Sequence, residues 1–425
     1  MSLKIIEKSI YYLFAFLPVF LIFGTLLSEL SIILICILFL FYAYKTNNFS
    51  WVKNEDAKIL LLLYFLLIIN FIFSSDKSLS LLRDIGFIKY IIFIFAVKNL
   101  LLNKIDIIKK IINIWSIFFL IVVIDLYFEY FFGKNILGFY SENPSRLVGF
   151  LGDEYKIGTL IVGFLFPIVS FWFYRLFYEK KNDKRIYLKK FFYLLTIILV
   201  LYILLPVGQR SIIVKIILAL IFFFYCFPFL ATKKKFLSLL LFILLLFSTI
   251  WNNESFKSRF VNEIFWPEEE KVKFIVTYKN SNYWKHHYSA YLVFKNNPIF
   301  GIGNKNYRSA CLNFSEKTIA ALDVNKNLHR VCSTHPHQIY YEFLSEHGIF
   351  GLFFIIILTA LYLKKFSQFK KNNNLYLLGG FTYFIFTFLP LIPSGSFFTS
   401  FNATLFWINF CFMYSKTNYN DLNSS

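Results

Sequence analysis

The stretch "GIFGLFFIIILTALYLKK", residues 348–365, is a continuous apolar run that ends in two lysines. Its apolar part is close to the length of about 20 residues with which an α-helix crosses a bilayer. Comparable runs recur along the whole chain and lack the period-2 alternation of β-barrel strands. The 425-residue chain is 58% hydrophobic and only 16% charged, which is too little charge for the surface of a soluble protein of this size. We therefore predict an all-α fold that passes through a membrane many times.

The apolar runs predict about twelve transmembrane helices. They cover residues 10–27, 30–44, 58–73, 85–98, 111–131, 157–178, 191–207, 211–230, 236–251, 348–363, 375–391 and 400–415. If the N-terminus is cytoplasmic and the helices alternate in direction, the short basic clusters between them all lie in the cytoplasm, as the positive-inside rule requires. These clusters lie at residues 98–110, 180–190, 233–235 and 364–371. An eleven-span arrangement would place the second or the fourth cluster outside.

The same alternation divides the chain into five segments. They are N-terminal helices (1–131), central helices with arginine-bearing outer loops (132–251), one large outer loop (252–347), C-terminal helices (348–415) and a cytoplasmic tail (416–425). The first apolar run follows two lysines, as a signal peptide would, but no small-residue cleavage site follows it. We expect it to be a retained first helix.

The formal net charge of +20 does not indicate nucleic-acid binding. The basic residues form short clusters between apolar runs, and no continuous basic domain could follow a phosphate backbone.

Two of the five cysteines, Cys311 and Cys332, lie in the large outer loop. In an oxidising compartment such a pair is expected to form a disulfide. The alternatives are free thiols or a zinc site with His335 and His337, although the spacing C-x2-H-x-H matches no standard structural zinc pattern.

All six histidines lie in the large outer loop, and the last of them directly precede the apolar run quoted above. Pro336 suits the first turn of a helix from about 336 to 347, because its missing N–H is not needed there. On that helix His337 would share a face with Tyr340 and Tyr341. A histidine held there can act as a base near neutral pH, and the alternative is a structural histidine within the loop fold.

Two pairs of glycines lie near this helix, one pair directly after it and the other in a turn upstream. Gly348 would end the helix, and Gly351 would allow a close approach as the next span begins. Further upstream, "NNPIFGIGNKNYRSAC" places Gly301 and Gly303 in a tight turn beside the basic Arg308.

Cations also occur where a bilayer makes them unfavourable. Arg210 lies between two spans that have almost no loop, and an arginine at that depth normally faces a water-filled cavity or an anion. Its planar guanidinium suits phosphate, and Lys215 is a candidate for the same cavity. The alternative is a snorkelling or structurally paired arginine.

The loop before the sixth span carries Arg146, Asp153 and Glu154. The two acids could orient an arginine or contact sugar hydroxyls. The alternative is that all three are solvated loop charges.

These features resemble a known family. His337 and Gln338 are followed by nine residues, Gly348, two residues and Gly351, which is the short signature of the O-antigen ligase and polymerase family of bacterial envelope enzymes. The Pro298 turn with its two glycines, followed by Tyr and Arg where the family usually has Phe and Arg, resembles a second motif. Arg210 matches the family's membrane arginine. The resemblance covers roughly residues 140–365.

The resemblance implies a multi-pass glycosyltransferase of the bacterial inner membrane, surrounded by membrane lipids, with its active site facing the periplasm and no metal or cofactor. The donor would be a glycan on undecaprenyl diphosphate. The acceptor would be the lipid A core in a ligase, or a second lipid-linked repeat in a polymerase. A lipid-linked glycan transporter is the alternative of another class, although we find no repeated halves.

The resemblance also implies roles for individual residues. His337 would be the general base, and Arg210 would hold the diphosphate, helped by Arg308 or Arg146. Tyr341 could stack on sugar rings, with an aromatic residue of the membrane interface as the alternative, and His335 would lie beside the substrate.

Overall fold

The structure, a computed structural model, describes residues 2–143, 146–152, 155–178, 186–228, 232–252, 254–262, 282–314, 331–372 and 374–415. Its α-helices are α1 (Leu3–Ala15), α2 (Leu17–Phe23), α3 (Thr25–Lys45), α4 (Glu55–Ile72), α5 (Lys77–Asp84), α6 (Ile88–Leu100), α7 (Ile105–Phe132), α8 (Ile157–Tyr178), α9 (Ile186–Val207), α10 (Arg210–Cys226), α11 (Thr232–Trp251), α12 (Glu254–Lys257), α13 (Asn282–Asn296), α14 (Tyr307–Leu312), α15 (Ile339–Asn372), α16 (Leu375–Phe388) and α17 (Ser400–Phe412). Short 3-10 helices at Ser50–Lys53, Ile85–Phe87 and Gly149–Leu151 and a π-helical turn at Ser258–Asn262 complete the regular structure.

The described residues contain helices and no β-strand, which confirms the all-α prediction. Each of the predicted apolar runs falls on a helix or, for the first run, on the pair α1–α2, whose axes are bent by 53°. Among the described helices, four are long and apolar enough to cross a membrane, or five if the bent pair is one span. The four are Thr25–Lys45, Ile105–Phe132, Ile157–Arg175 and Ile339–Phe369.

The number of crossings therefore stays a prediction. The last helix, α17, has 13 residues, and a rise of about 1.5 Å per residue makes it shorter than the ~30 Å hydrocarbon core. The short helices α16 and α17 are nevertheless almost entirely buried.

Small residues allow the closest helix contacts in the core. A Cβ on Gly163 of α8 would lie 2.6 Å from a methyl carbon of Leu405, and one on Gly379 of α16 would lie 2.9 Å from the Phe166 carbonyl oxygen. Asn409 of α17 donates its side-chain amide to the Gly163 carbonyl oxygen over 2.7 Å. Helices α8, α16 and α17 therefore pack closely against one another where these glycines lie.

Helix α4 is attached to α15 at two points that are far apart along both helices. At one end, buried Lys365 donates to buried Asp56 over 2.6 Å. At the other end, the side-chain amide of Asn70 donates to the carbonyl oxygens of Glu346 (2.9 Å) and Phe300 (2.8 Å). The two helices are antiparallel. We call the end of the bundle that contains Asn70 and His337 the histidine end.

Helix α15 does not stop at Gly348 as the sequence suggested. It bends there, because Gly348 has φ 61° and ψ −146°, and it then continues to Asn372. The bend leaves room for another segment of backbone to approach the helix.

Candidate functional site

The segment that fills the bend of α15 is the turn of residues 298–303. The Gly303 N–H donates to the Glu346 carbonyl oxygen (2.9 Å), and the Ile349 N–H donates to the Pro298 carbonyl oxygen (2.9 Å). A Cβ on Gly301 would lie 2.4 Å from the Glu346 carbonyl oxygen. Gly301 and Gly348 are therefore needed for the same reason, since the two backbones touch where their side chains would be. A Cβ on Gly303 would instead meet Ser74, and one on Gly351 would meet the Phe343 carbonyl oxygen of the same helix.

The helix at the site begins later than the sequence predicts. Its first residue is Ile339, and His337 lies before it in the left-handed region with φ 56°. The side chain of Gln338 accepts from the N–H groups of Tyr340 (2.7 Å) and Tyr341 (3.2 Å) and so caps the helix. His337 therefore does not share a helix face with the two tyrosines. It is presented from a turn, and its carbonyl oxygen accepts from the Ser394 N–H over 2.8 Å.

Three imidazoles meet at this turn, and we call His286, His335 and His337 the histidine cluster. The ring centroid of His337 is 4.7 Å from that of His286 and 4.4 Å from that of His335. His286 lies on α13 and is held by a 2.5 Å contact between its Nδ1 and the Val331 carbonyl oxygen. Next to the cluster, the ring of His287 stacks on Tyr341 at 4.6 Å. The structure therefore brings the predicted His335, His337 and Tyr341 together and adds two histidines of α13.

The cluster favours neutral imidazoles. Burial, and then the neighbouring His286, lowers the pKa of His337 to about 4. Burial, and then His337, lowers the pKa of His335 to about 3. Burial also lowers the pKa of His286. Its hydrogen bond to the Val331 carbonyl oxygen acts in the opposite direction and offsets only part of this effect. At neutral pH these rings are uncharged, so each can accept a proton.

Two buried glutamates on the first turns of α15 attach the surrounding loops, and sequence reasoning missed both. Glu342 accepts from the Phe397 N–H (2.9 Å) and from the Ser396 hydroxyl. Glu346 accepts from the Tyr307 N–H over 3.3 Å. Their signal in the sequence is a pair of acids four residues apart on a helix that runs into an apolar span.

Cys311 and Cys332 are joined by a disulfide with their Cα atoms 5.4 Å apart. The bond attaches α14 to the segment that carries Val331 and His335. It therefore stabilises the backbone oxygen that holds His286.

The N-terminal part of the chain supports the same site, which the sequence did not indicate. The side-chain amide of Asn306 donates to the hydroxyls of Ser74 (3.0 Å) and Ser80 (2.9 Å). The amide of Asn304 donates to Asp84 (3.0 Å) and its oxygen accepts from Arg83 (3.3 Å). The segment from Ser74 to Asp84 is thus a platform for the turn that precedes Tyr307 and Arg308.

The predicted cations fall into two groups. Arg308 has an exposed side chain on α14, beside the disulfide. Arg146 lies 5.0 Å from the Tyr155 ring centroid, and the side chain of Gln209, the residue before Arg210, donates to the Tyr155 carbonyl oxygen. Arg146 and Arg210 therefore belong to one region, where α8 and α10 begin.

Lys215 lies further along α10, is buried, and has its ammonium 5.6 Å from the Phe386 ring centroid. Asp153 and Glu154 lie outside the described residues. The segment between α16 and α17 connects the region of Arg308 and the histidine cluster with the region of Arg146 and Arg210. Ser394 of that segment binds the His337 backbone, and Phe401 just after it lies 5.9 Å from the Lys156 ammonium. Both groups therefore lie at the histidine end.

Residues 194–356 match the family model described as O-antigen ligase. This match supports a place for the chain in the O-antigen ligase and polymerase family. The match begins in α9 and ends in α15, so it includes Arg210, the turn of residues 298–303 and the histidine cluster. A search of curated proteins finds no match to the chain.

Members of the O-antigen ligase family are glycosyltransferase-like enzymes, and their substrates in general are lipid-linked glycans. The apolar helices agree with a membrane protein of this family. The platform of residues 74–84 and the loop that carries Arg146 lie outside the matched region. The contacts of the platform with the turn before Tyr307 come from the structure, whereas Arg146 was also predicted from the resemblance.

Proposed function

We propose that this O-antigen ligase family member transfers a glycan from undecaprenyl diphosphate to a sugar hydroxyl of the lipid A core, at the periplasmic face of the inner membrane. The observation that carries the proposal is the neutral, half-buried imidazole of His337, which is presented from a left-handed turn at the end of the bundle. A lipid-anchored donor keeps its diphosphate at headgroup height, so the reaction has to occur at a helix end.

In the proposed reaction His337 removes the proton of the acceptor hydroxyl while its oxygen attacks the anomeric carbon of the donor glycan. The bond between that carbon and the diphosphate oxygen breaks, and the diphosphate leaves with the bonding electrons. The imidazolium then releases its proton to solvent, which its pKa of about 4 favours at neutral pH.

Arg210 and Arg146 are the proposed partners of the leaving diphosphate. A fixed guanidinium stabilises negative charge that develops in the transition state, because it does not have to reorient when the charge appears. Arg308 and Lys215 are further candidates, and the exposed position of Arg308 suits the glycan side of the donor.

The proposal is tested with His337→Ala in purified protein, supplied with a lipid-linked donor and an acceptor core. Transfer should be lost while the donor remains intact. Tyr340→Phe is the matched control, because it removes only a hydroxyl that donates to the Phe388 carbonyl oxygen beside the same turn. Normal transfer by His337→Ala would refute the base assignment.

The lipopolysaccharide of a deletion strain distinguishes the two activities of the family. Free core with intact polymer on the carrier indicates a ligase, and core that carries a single repeat indicates a polymerase. A strain in which the lipid-linked glycan stays on the cytoplasmic side would instead indicate a transporter.

A further inference from the structure

The loop that carries Arg146 rests on two buried carboxylates near the end of α7. Glu129 accepts from the Val148 N–H (3.0 and 3.2 Å to its two oxygens) and from the Gly149 N–H (2.7 Å). Asp125, one turn earlier, accepts from the Ile136 N–H over 2.9 Å. The two acids therefore bind both arms of the loop.

A buried amide joins the two arms to each other. Asn135 donates its side-chain amide to the Gly149 carbonyl oxygen (2.9 Å), and its side-chain oxygen accepts from the Phe139 N–H (2.8 Å). The loop between α7 and α8 is thus attached to α7 through a connected set of buried hydrogen bonds.

The two carboxylates are poorly placed for stability. They lie four residues apart on one helix, where like charges repel, and near its C-terminus, where the helix dipole disfavours negative charge. Helix α7 is also one of the helices long and apolar enough to cross a membrane, where an acid is unfavourable. We therefore attribute to these two acids the positioning of the loop between α7 and α8, whose backbone N–H groups they bind.

The geometry points to Glu129 as a positioning residue that fixes Arg146 for binding the donor diphosphate, an inference that rests on the proposed function. Glu129 holds the two residues that follow Leu147, and the Leu147 N–H donates to the Pro206 carbonyl oxygen over 3.1 Å. The backbone beside Arg146 is therefore fixed to α7 on one side and to α9 on the other. The guanidinium lies 5.0 Å from the Tyr155 ring centroid, just before α8, and Gln209, the residue before Arg210, donates to the Tyr155 carbonyl oxygen.

The test measures binding of undecaprenyl diphosphate to the full-length protein in detergent micelles. The variants are Glu129→Gln, Arg146→Ala and the double variant. Glu142→Gln is the matched control, because Glu142 is an exposed acid of the same loop. The amide of glutamine keeps one acceptor but turns N–H groups toward the donors of Val148 and Gly149, so Glu129→Gln should weaken binding about tenfold.

If Glu129 acts through Arg146, the double variant binds no more weakly than Arg146→Ala alone, and Glu142→Gln binds like the wild type. Glu129→Gln should also speed hydrogen exchange of the peptide around residues 146–149. Additive losses, or unchanged binding by Glu129→Gln, overturn the inference. A different result would refute the proposed function: a wild type that binds the diphosphate lipid but transfers no glycan from the lipid-linked donor.

Discussion

His337 combines a left-handed backbone with a low pKa, and both follow from its neighbours rather than from its own residue type. The ring is half-buried between His286 and His335, and its backbone oxygen is held by Ser394. A histidine in such surroundings stays neutral well below the usual value near 6.5. The neutral ring is the form that accepts a proton, although its low pKa also makes it a weaker base than an exposed histidine.

The low pKa of His337 predicts the pH dependence of glycan transfer. A base works in its unprotonated form, so kcat/KM should stay level from pH 8 down to about 5 and fall as the pH passes through about 4. The measurement is a pH–rate profile with purified protein and lipid-linked donor. His286→Gln removes the neighbour that lowers this pKa, so its acid limb should move to higher pH. A wild-type limb near 6.5 would contradict the environment described for His337.

The residues of the site differ in how far the sequence predicts them. His337, Gly348 and Gly351 follow from a motif of fixed spacing, and Cys311 and Cys332 from their isolation in one loop. Glu342, Glu346 and Asn306 act through partners that are distant in sequence, so no local pattern shows their role. The left-handed turn at His337 arises the same way, because the Ser394 contact and the Gln338 cap compete with a helix that Pro336 would otherwise allow.

At the scale of the elements, apolar length was enough to place the helices but not their ends. The run from residue 348 is helical as expected, yet α15 extends on both sides of it, from Ile339 to Asn372. Turns and bends depend on what packs into them, and the bend at Gly348 holds the turn of residues 298–303. The bend could therefore be predicted only if the turn of residues 298–303 were known to pack against it.

The bend predicts that Gly348→Ala is strongly destabilising. A Cβ would lie 2.4 Å from the Ile299 carbonyl oxygen and 2.7 Å from the Gly301 nitrogen, and the backbone there is one that alanine rarely adopts. Backbone strain of this kind is worth about 1–3 kcal/mol before the clash is counted. Thermal unfolding in detergent should show a clear drop in Tm together with loss of transfer.

The matched control for that substitution is Gly86→Ala. A Cβ on Gly86 meets nothing within 4 Å, and its φ is not in the left-handed range. Its Tm should be close to that of the wild type. Equal effects of the two substitutions would show that the close approach at Gly348 is not what stabilises the bend.

The disulfide predicts a redox effect on the element that holds His286. Its cysteines are 21 residues apart, and loop closure of that length contributes about 3 kcal/mol. Cys311→Ser should lower Tm and reduce transfer, because Val331 next to Cys332 holds the His286 ring. The double variant with Cys332→Ser should match the single one, since both remove the same bond. A wild type whose Tm and activity are unchanged by reductant would contradict this prediction.

At the scale of the whole molecule, helix α4 near the N-terminus and helix α15 near the C-terminus are joined directly. The contact between Asn70 and Glu346 joins residues 276 positions apart, and that between Asp56 and Lys365 joins residues 309 positions apart. Charge clusters and apolar runs predicted the order of the helices along the chain. They contain no information on which helices are neighbours, so the attachment of α4 to α15 was not predicted.

The buried ion pair predicts different effects for two adjacent lysines. Lys365→Ala leaves Asp56 buried without its partner, which typically destabilises by about 3–5 kcal/mol. Lys364→Ala removes a partner of Glu55, whose side chain is 81% exposed, and should leave the free energy of unfolding close to that of the wild type, because solvent screens the pair. Chemical or thermal unfolding of both variants in the same detergent gives the comparison. Similar losses in the two would mean that the Asp56 contact does not hold α4 in place.

The attachment of α4 at both of its ends sets a rule for chimaeras. A swap of the whole region from residue 194 onward between relatives would pair a foreign turn with the resident Ser74 and Ser80, and a foreign residue 365 with the resident Asp56. Such hybrids should reach the membrane yet remain inactive. Activity should return when residues 55–84 are exchanged along with that region.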